Sequence, residues 1–231
     1  MGNILVTGAF GYLGGRLIQA LSLSGYKVVC GTRSKTAQNL DGLLGARSAH
    51  LDWSSDESLR MSCSGIDCVV HLAAMNEIQS RKYPIQALEI NGVSSLRLLE
   101  AAKREGVKRF IYVSTAHVYG SPLQGYINEK TLPRPLHPYA ITHKVSEEFV
   151  LAAHDLKQIE GVVLRLSNGF GAPATPTVDR WTLLVNDLCR QAVSSSHLRL
   201  NSDGSQLRDF ITLGDFTRAI LHMISLNSEC L

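Results

Sequence analysis

The 231-residue sequence lacks the features that mark membrane proteins and nucleic-acid-binding proteins. No apolar run approaches the roughly 20 residues needed to cross a bilayer, so no membrane association is predicted. The net charge of +3 comes from scattered Lys and Arg rather than from runs, and it therefore predicts no nucleic-acid partner. With 45% hydrophobic and 19% charged residues, the composition indicates a globular chain with one substantial core.

Cysteine is scarce and unpatterned. An odd number of cysteines argues against a secreted disulfide framework, and no pair has the spacing of a zinc site, so no metal site is predicted. The five are Cys30, Cys63, Cys68, Cys189 and Cys230. Because the first residues already form an apolar strand, no signal peptide is expected. The sequence therefore predicts reduced thiols and a cytoplasmic location.

A glycine-rich turn near the N-terminus is the most informative segment. Residues 7–14 (TGAFGYLG) follow an apolar strand and precede an apolar-periodic helix. In such a turn Gly8 permits the tight bend, Gly11 lets the backbone approach a pyrophosphate, and Gly14 allows close packing, while the helix N-terminus attracts phosphates. This pattern predicts a dinucleotide site. Three further residues of the turn are expected to contact the coenzyme: Phe10, Tyr12 and Leu13.

Apolar strand-like runs alternate with helix-period segments over the first 166 residues. The runs are residues 4–6, 28–30, 67–72, 110–113 and 162–166. The helical segments are residues 16–24, 84–104 and 139–153. This alternation predicts an α/β fold, a doubly wound parallel sheet with ligands beyond the carboxyl ends of the strands. The looser pattern that follows predicts a dinucleotide-binding domain over 1–167 and a small, partial substrate-binding lobe over 168–231.

The residue at the end of the second strand bears on the choice between NAD and NADP. NAD-binding proteins hold the ribose hydroxyls with an Asp or Glu here, whereas this sequence has Arg33. A guanidinium suits a 2′-phosphate, so NADP is favoured and NAD remains open. After a short third strand, Asp52 and Trp53 are expected beside the adenine.

Three later segments carry residues able to do chemistry: 71–74 (HLAA), 113–120 (VSTAHVYG) and 138–144 (PYAITHK). Asn91 and the segments 165–171 (RLSNGFG) and 204–210 (GSQLRDF) complete the pattern. Together with the glycine turn, they resemble the extended short-chain dehydrogenase/reductase family, the NAD-dependent nucleotide-sugar epimerases, dehydratases and ketoreductases. The resemblance runs from residue 3 to about residue 225 and implies a Rossmann fold.

The resemblance assigns roles to individual residues. It implies that Thr115 and Tyr139 bond the reacting sugar oxygen and that Tyr139 is the general acid or base. It places the coenzyme against Leu72, Ala73, Ala74, Asn91, Tyr139 and His143. It implies that Asn168 and Arg208 bind the sugar and diphosphate of the substrate, although Arg208 could instead pair with Asp209. His71, by its place at the end of the fourth strand and not by the resemblance, is expected to be a packed, hydrogen-bonded histidine rather than a catalytic one.

The sequence departs from the family beside the tyrosine. A phenol has a pKa of about 10, and the family stabilises its phenolate with a lysine four residues later, on the same helix face. Here that residue is His143, and Lys144 follows it. One extra residue rotates a helical side chain by roughly 100°, so Lys144 is expected to point away. His143 is the favoured substitute; Lys144 reaching in through a distorted helix, and lost chemistry, remain alternatives.

His117 lies two residues after Thr115. Family dehydratases carry an Asp-Glu pair where this sequence has Ala116 and His117, which argues against dehydration. Some relatives that epimerise beside a ketone hold a cysteine at this position, so His117 is a candidate acid/base, a substrate-positioning residue or a packing residue.

The predicted function is hydride transfer, most simply at C4 of a nucleoside-diphosphate sugar, by a nucleotide-sugar epimerase. An NADPH-dependent 4-ketoreductase and a non-catalytic NAD(P)-binding protein are the alternatives. Family members are usually longer, so the chain is expected to stop inside the substrate lobe. A homodimer through the helices of 84–104 and 139–153 is also expected.

Overall fold

A computed structural model of the chain describes residues 2–34 and 45–230. Its centre is a six-stranded sheet in the order β3-β2-β1-β4-β5-β6, and every neighbouring pair is parallel. The strands are β1 (Asn3–Thr7), β2 (Lys27–Thr32), β3 (Arg47–His50), β4 (Cys68–His71), β5 (Arg109–Thr115) and β6 (Glu160–Leu166). The strand order reverses between β1 and β4, which places the switch point of the sheet directly after the glycine turn. The predicted doubly wound α/β fold is confirmed.

Helices cover both faces of this sheet. They are α1 (Tyr12–Leu23), α2 (Asp56–Cys63), α3 (Glu77–Lys82), α4 (Pro84–Ala87), α5 (Ser94–Arg104) and α6 (Pro138–Asp155). A 3₁₀ turn, Ala116–Tyr119, follows β5. The predicted helix at 84–104 is interrupted by a π-helical segment, Leu88–Val93, where the Ser94 N–H bonds the carbonyl of Glu89. Such segments often occur at functional sites.

Two apolar clusters, one on each face of the sheet, stabilise the fold. On one face Leu98 and Leu99 of α5 pack with Phe110 and Tyr112 of β5. On the other, Leu17 of α1 packs with residues of β1 and β2. Each fully buried Leu or Phe contributes about 1.5–3 kcal/mol, so these clusters fix the positions of the strand ends that surround the site.

The C-terminal residues form β7 (Asn168–Phe170), α7 (Leu184–Ser194), β8 (Phe210–Thr212) and α8 (Leu213–Ser225). β7 and β8 make a separate parallel pair. α8 returns to the large sheet, where Phe216 and Ile220 are fully buried in the same cluster as Leu17. Arg109 holds the end of α8, because its guanidinium donates to the carbonyls of Met223 (2.6 Å) and Ile224 (3.1 Å).

The C-terminal segment therefore contributes through α8 to the apolar cluster that contains Leu17, in addition to forming the lobe after residue 167. The domain boundary at residue 167 stays a prediction. Within the described ranges, no helix combines the length and apolar character that a membrane crossing needs. Cys30, Cys63, Cys68 and Cys189 are free thiols, as predicted. Burial raises the pKa of the Cys30 thiol to about 11, which makes it unreactive.

Candidate active site

A cavity of about 1160 Å³ opens at the carboxyl ends of the strands. Single-ligand pockets measure about 300–1,000 Å³, so this one has room for two ligands side by side. Most of the predicted site residues line it, and among these are Gly8, Phe10, Gly11, Tyr12, Leu13, Arg33, Trp53, Leu72, Ala73, Ala74, Thr115, His117, Tyr139, His143, Asn168 and Arg208. Asp52 and Asn91 do not line it.

The glycine turn is shaped by close backbone approach. Gly8 has φ +65°, and a Cβ there would lie 3.1 Å from the backbone N of Ala73. A Cβ on Gly14 would lie 2.2 Å from the Gly8 carbonyl oxygen, so Gly14 is required by the turn itself. No side chain caps α1. Its free N–H groups and positive dipole end face the cavity, which fits the diphosphate of a dinucleotide.

The predicted adenosine end of the cavity is formed by Arg33 and Trp53. Arg33 is exposed and has no ion pair within the described part of the chain. Asp52 is exposed and shapes a turn, since its carboxylate accepts the backbone N–H (3.0 Å) and the hydroxyl (2.6 Å) of Ser54. The carboxylate is thus held beside the cavity wall rather than on it.

His71 is a packed histidine, as predicted. It is 1% exposed, and both ring nitrogens are bonded, Nδ1 to Thr7 Oγ1 (2.6 Å) and Nε2 to Ser95 Oγ (2.8 Å). Ser95 donates its proton to the carbonyl of Asn91 (2.6 Å), so His71 Nε2 is the donor to Ser95 and Thr7 donates to Nδ1. Thr7 Oγ1 also accepts the backbone N–H groups of residues 72 and 73, which fixes this part of the wall.

Asn91, fully buried behind the wall, ties two parts of the site together. Its Oδ1 accepts the Met75 N–H (2.6 Å), and its Nδ2 donates to Thr142 Oγ1 (3.0 Å). Thr142 in turn donates to the carbonyl of Tyr139 (3.0 Å). The loop after β4 and the first turn of α6 are therefore held in one arrangement, and Asn91 acts behind the residues that face the ligand.

Tyr139 and Thr115 come together on the cavity wall. Burial and, to a smaller extent, Glu77 raise the pKa of the Tyr139 phenol, Arg180 and the Thr115 side chain lower it, and the net pKa is about 12. The phenol is therefore protonated at neutral pH. Ionising it requires positive charge from elsewhere in the site, and Arg180 is one source within the cavity.

His143 faces the cavity and Lys144 faces away. The His143 ring lies 4.5 Å from the Tyr139 ring, edge to face, and burial lowers the pKa of His143 to about 3, so it is neutral. Lys144 does not line the cavity, and it pairs with Glu147 Oε2 (3.4 Å) and with Glu148. α6 is continuous, so Lys144 points away as the helical spacing predicts.

His117 also lines the cavity. Its ring packs edge to face on His137 (5.5 Å), and His137 caps α6 by accepting the Ala140 N–H. Burial lowers the pKa of His117, with Glu77 opposing this effect and Arg208 adding to it. His117 Nδ1 is buried and has no hydrogen-bond partner in the described chain.

Glu77 and Arg180 are cavity residues that the sequence did not single out. Glu77 is the first residue of α3, and it acts electrostatically on His117, His137 and Tyr139. Arg180 precedes α7 and lowers the pKa of Tyr139. The N-cap Asn76 marks the start of α3 in the sequence, but nothing local marks either charge as facing a ligand.

A buried ion pair supports the 3₁₀ turn that carries His117. Glu147 is fully buried and accepts from Arg165 Nη2 (2.8 Å), while Arg165 Nη1 donates to the Tyr119 hydroxyl (2.6 Å). Burial alone would lower the pKa of Arg165, but its hydrogen bonds to Glu147 and Tyr119 outweigh this and raise it. The turn, β6 and α6 are thus joined through one guanidinium.

The lobe residues close the remaining side. Asn168 Nδ2 donates to the carbonyl of Asp209 (2.9 Å), and exposed Arg208 bonds Gln206 (2.7 Å) rather than Asp209. The Tyr12 hydroxyl donates to the carbonyl of Gly171 (2.8 Å) and accepts from Asn186 Nδ2 (3.0 Å). The coenzyme-side helix and the lobe are therefore bonded directly to each other.

Comparison with known proteins agrees with this geometry. Residues 4–229 match the NAD dependent epimerase/dehydratase family. A UDP-glucose 4-epimerase of Halalkalibacterium halodurans is 32% identical over 94% of this chain and 69% of its own length. A putative UDP-glucose 4-epimerase of Methanocaldococcus jannaschii is 25% identical over 98% of this chain and 74% of its own.

Among solved structures, MoeE5 in complex with UDP-glucuronic acid and NAD superposes with a TM-score of 0.84 at 31% identity, covering 98% of this chain and 73% of that one. A doubly wound sheet with a glycine turn and a tyrosine facing one shared cavity defines a nucleotide-dependent enzyme of the extended short-chain dehydrogenase/reductase type. The chain belongs to the NAD dependent epimerase/dehydratase family.

Proposed function

We propose that the chain is a nucleotide-sugar epimerase that acts at C4 with a bound nicotinamide coenzyme. The observation that carries the proposal is the shared cavity, which is lined by the glycine turn, by Thr115 and Tyr139, and by Arg208. The two epimerases compared above support the choice of reaction.

The residues of the chain divide the work. The glycine turn and the N-terminus of α1 hold the coenzyme diphosphate, and the His143 imidazole bonds its ribose. Thr115 and Tyr139 bond the sugar oxygen, and Tyr139 exchanges a proton with it. A nicotinamide coenzyme held there would supply hydride exchange with the sugar carbon. The Arg208 guanidinium donates charge-assisted hydrogen bonds to the diphosphate of the substrate, and Asn168 forms hydrogen bonds with its sugar.

Turnover assays test this proposal. The purified protein is incubated with UDP- and dTDP-sugars that form C4 pairs, and each sugar is expected to convert into its C4 epimer without net coenzyme consumption. Consumption of NADPH in proportion to a reduced 4-keto sugar would identify a ketoreductase instead. Coenzyme binding without conversion of any sugar would contradict both enzymatic functions and leave a non-catalytic binding protein.

The ketoreductase is kept as a second candidate because of two observations. Arg33 lines the cavity and its guanidinium would suit the 2′-phosphate of NADP, and the Tyr139 phenol is protonated at neutral pH. A protonated phenol can give its proton to a ketone oxygen, which is the reductive direction of the same reaction.

Arg33→Asp is expected to shift coenzyme preference from NADP toward NAD by at least about tenfold in the ratio of dissociation constants. The guanidinium would lose its charge-assisted bonds to the phosphate, and a carboxylate would bond the free ribose hydroxyls. The matched control is Lys27→Asp, the same charge change at the opposite end of β2. The dissociation constants of NADP and NAD are measured by calorimetry. If Arg33→Asp leaves their ratio unchanged, the argument for NADP is removed.

His143→Ala is expected to lower turnover by at least about tenfold, whereas Lys144→Ala should change it less than about twofold. His143 lines the cavity, whereas Lys144 does not line it and forms ion pairs with Glu147 and Glu148. Circular dichroism confirms that both variants fold. The reverse order of effects would mean that Lys144 reaches the site in solution.

We also propose a homodimer through α4, the π-helical segment and α6. These elements are adjacent, and together they expose several large apolar side chains. Monomeric proteins rarely expose a large contiguous apolar patch of this kind. They are Ile85, Leu88, Val93, Ile141 and Phe149. Ile85→Glu with Phe149→Glu is expected to convert a dimer into a monomer in sedimentation velocity, and a monomeric wild type would overturn the proposal.

The cytoplasmic location stays a prediction.

A further inference from the structure

One buried nitrogen on the cavity wall has no partner. His143 is 3% exposed, and its Nδ1 lies 2.8 Å from the Tyr112 hydroxyl. Its Nε2 is buried and has no hydrogen-bond partner anywhere in the described chain. An unpaired buried polar atom costs free energy, so a group that belongs to a ligand is expected to pair with it.

The proton of the Tyr112 hydroxyl decides what Nε2 can do. Tyr112 lies on β5, is 2% exposed, and burial raises its pKa, so the hydroxyl keeps its proton and must donate it. Ser146 and His143 Nδ1 (2.8 Å) are the described side-chain groups that this hydroxyl reaches, and the bond that would orient the imidazole is the one in which it donates to Nδ1. Nδ1 is then unprotonated, and the single proton of a neutral imidazole resides on Nε2.

We propose that Tyr112 is a positioning residue: by donating to Nδ1, it orients His143 so that Nε2–H donates to a ribose hydroxyl oxygen of the bound coenzyme. This inference rests on the proposed function, because it requires a nicotinamide coenzyme in the cavity. Position 143 then supplies an oriented neutral donor and no positive charge. The site binds the coenzyme through a fixed hydrogen bond at the point where the family uses an ammonium group.

Ring-nitrogen NMR on the unliganded wild type tests the proton position without any turnover. The protein is labelled with ¹⁵N-histidine, and His143→Gln identifies the His143 signals among the eight histidines. We expect an unprotonated Nδ1 and a protonated Nε2, unchanged from about pH 5 to about pH 8. A protonated Nδ1 would mean that the Tyr112 proton goes elsewhere, for example to Ser146, and would overturn the proposal.

A double-mutant cycle tests the coupling through coenzyme affinity. Tyr112→Phe is expected to raise the dissociation constant about three- to tenfold, because the imidazole loses its orienting bond. In the His143→Ala background the same change is expected to have no effect, since the phenol acts through the imidazole. Tyr26→Phe, which removes a phenol oxygen away from the cavity, is the matched control and should leave affinity unchanged.

Equal effects of Tyr112→Phe in both backgrounds would overturn the positioning role, because a merely structural phenol would weaken binding whether or not the imidazole is present. A wild type that binds neither NAD nor NADP would overturn the proposed function and this inference together. If the wild type binds coenzyme but the effects of Tyr112→Phe and His143→Ala on affinity are additive, this inference alone is overturned.

Discussion

Replacing Tyr139 by Phe is expected to lower kcat by about 100-fold or more while the protein still folds and binds its coenzyme. The variant removes one oxygen, which is bonded to Thr115 and is the proton donor and acceptor of the proposed reaction. Each tenfold loss corresponds to about 1.4 kcal/mol of transition-state stabilisation, so the expected cost is about 3 kcal/mol or more.

Tyr126→Phe is the matched control, because the Tyr126 side chain is 90% exposed and lies outside the cavity. It should leave kcat unchanged. Measurement of kcat and KM on the epimerisation of a UDP-sugar separates the two expectations. A Tyr139→Phe enzyme within about threefold of wild type would reject the acid/base role.

Arg165→Met is expected to destabilise the fold by about 3 kcal/mol. The substitution keeps much of the side-chain volume but leaves the fully buried Glu147 carboxylate with Lys144 as its remaining partner at 3.4 Å. Breaking a buried pair by removing one ion costs about 3–5 kcal/mol, because the other charge stays desolvated. Urea unfolding measures the free energy of unfolding.

Arg165→Met combined with Glu147→Met tests the cause. If the unpaired carboxylate is responsible, the double variant should recover most of the lost stability, since apolar replacements of buried pairs are often neutral. A single variant that loses less than about 1 kcal/mol would show that Lys144 or water satisfies Glu147. The single variant should also lose turnover, because Arg165 holds the turn that carries His117.

The sequence predicts the parts of this molecule that depend on local patterns. The glycine turn at Gly8 and the alternating strands come from backbone geometry and hydrophobic period, and both predict the parallel sheet. The orientation of Lys144 follows from helical rotation alone. The packed state of His71 was also predicted from its place at a buried strand end.

The remaining features depend on contacts between distant segments. Glu77 and Arg180 reach the cavity because α3 and the loop before α7 close over it, and neither has a local signal. The pairing of β7 with β8 joins three-residue strands about 40 residues apart, which no short pattern specifies. The bond from Tyr112 to His143 links a strand to a helix, and both residues look like ordinary core positions in the sequence.

The Tyr12 phenol connects the two walls of the cavity, because it donates to the Gly171 carbonyl and accepts from Asn186 while its own backbone begins α1. If the outer wall moved away, both hydrogen bonds of the Tyr12 hydroxyl would break, and each contributes about 0.5–1.5 kcal/mol to stability. Entry of a sugar nucleotide is therefore expected to proceed by rearrangement of side chains at the cavity mouth, while the lobe stays attached beside the coenzyme.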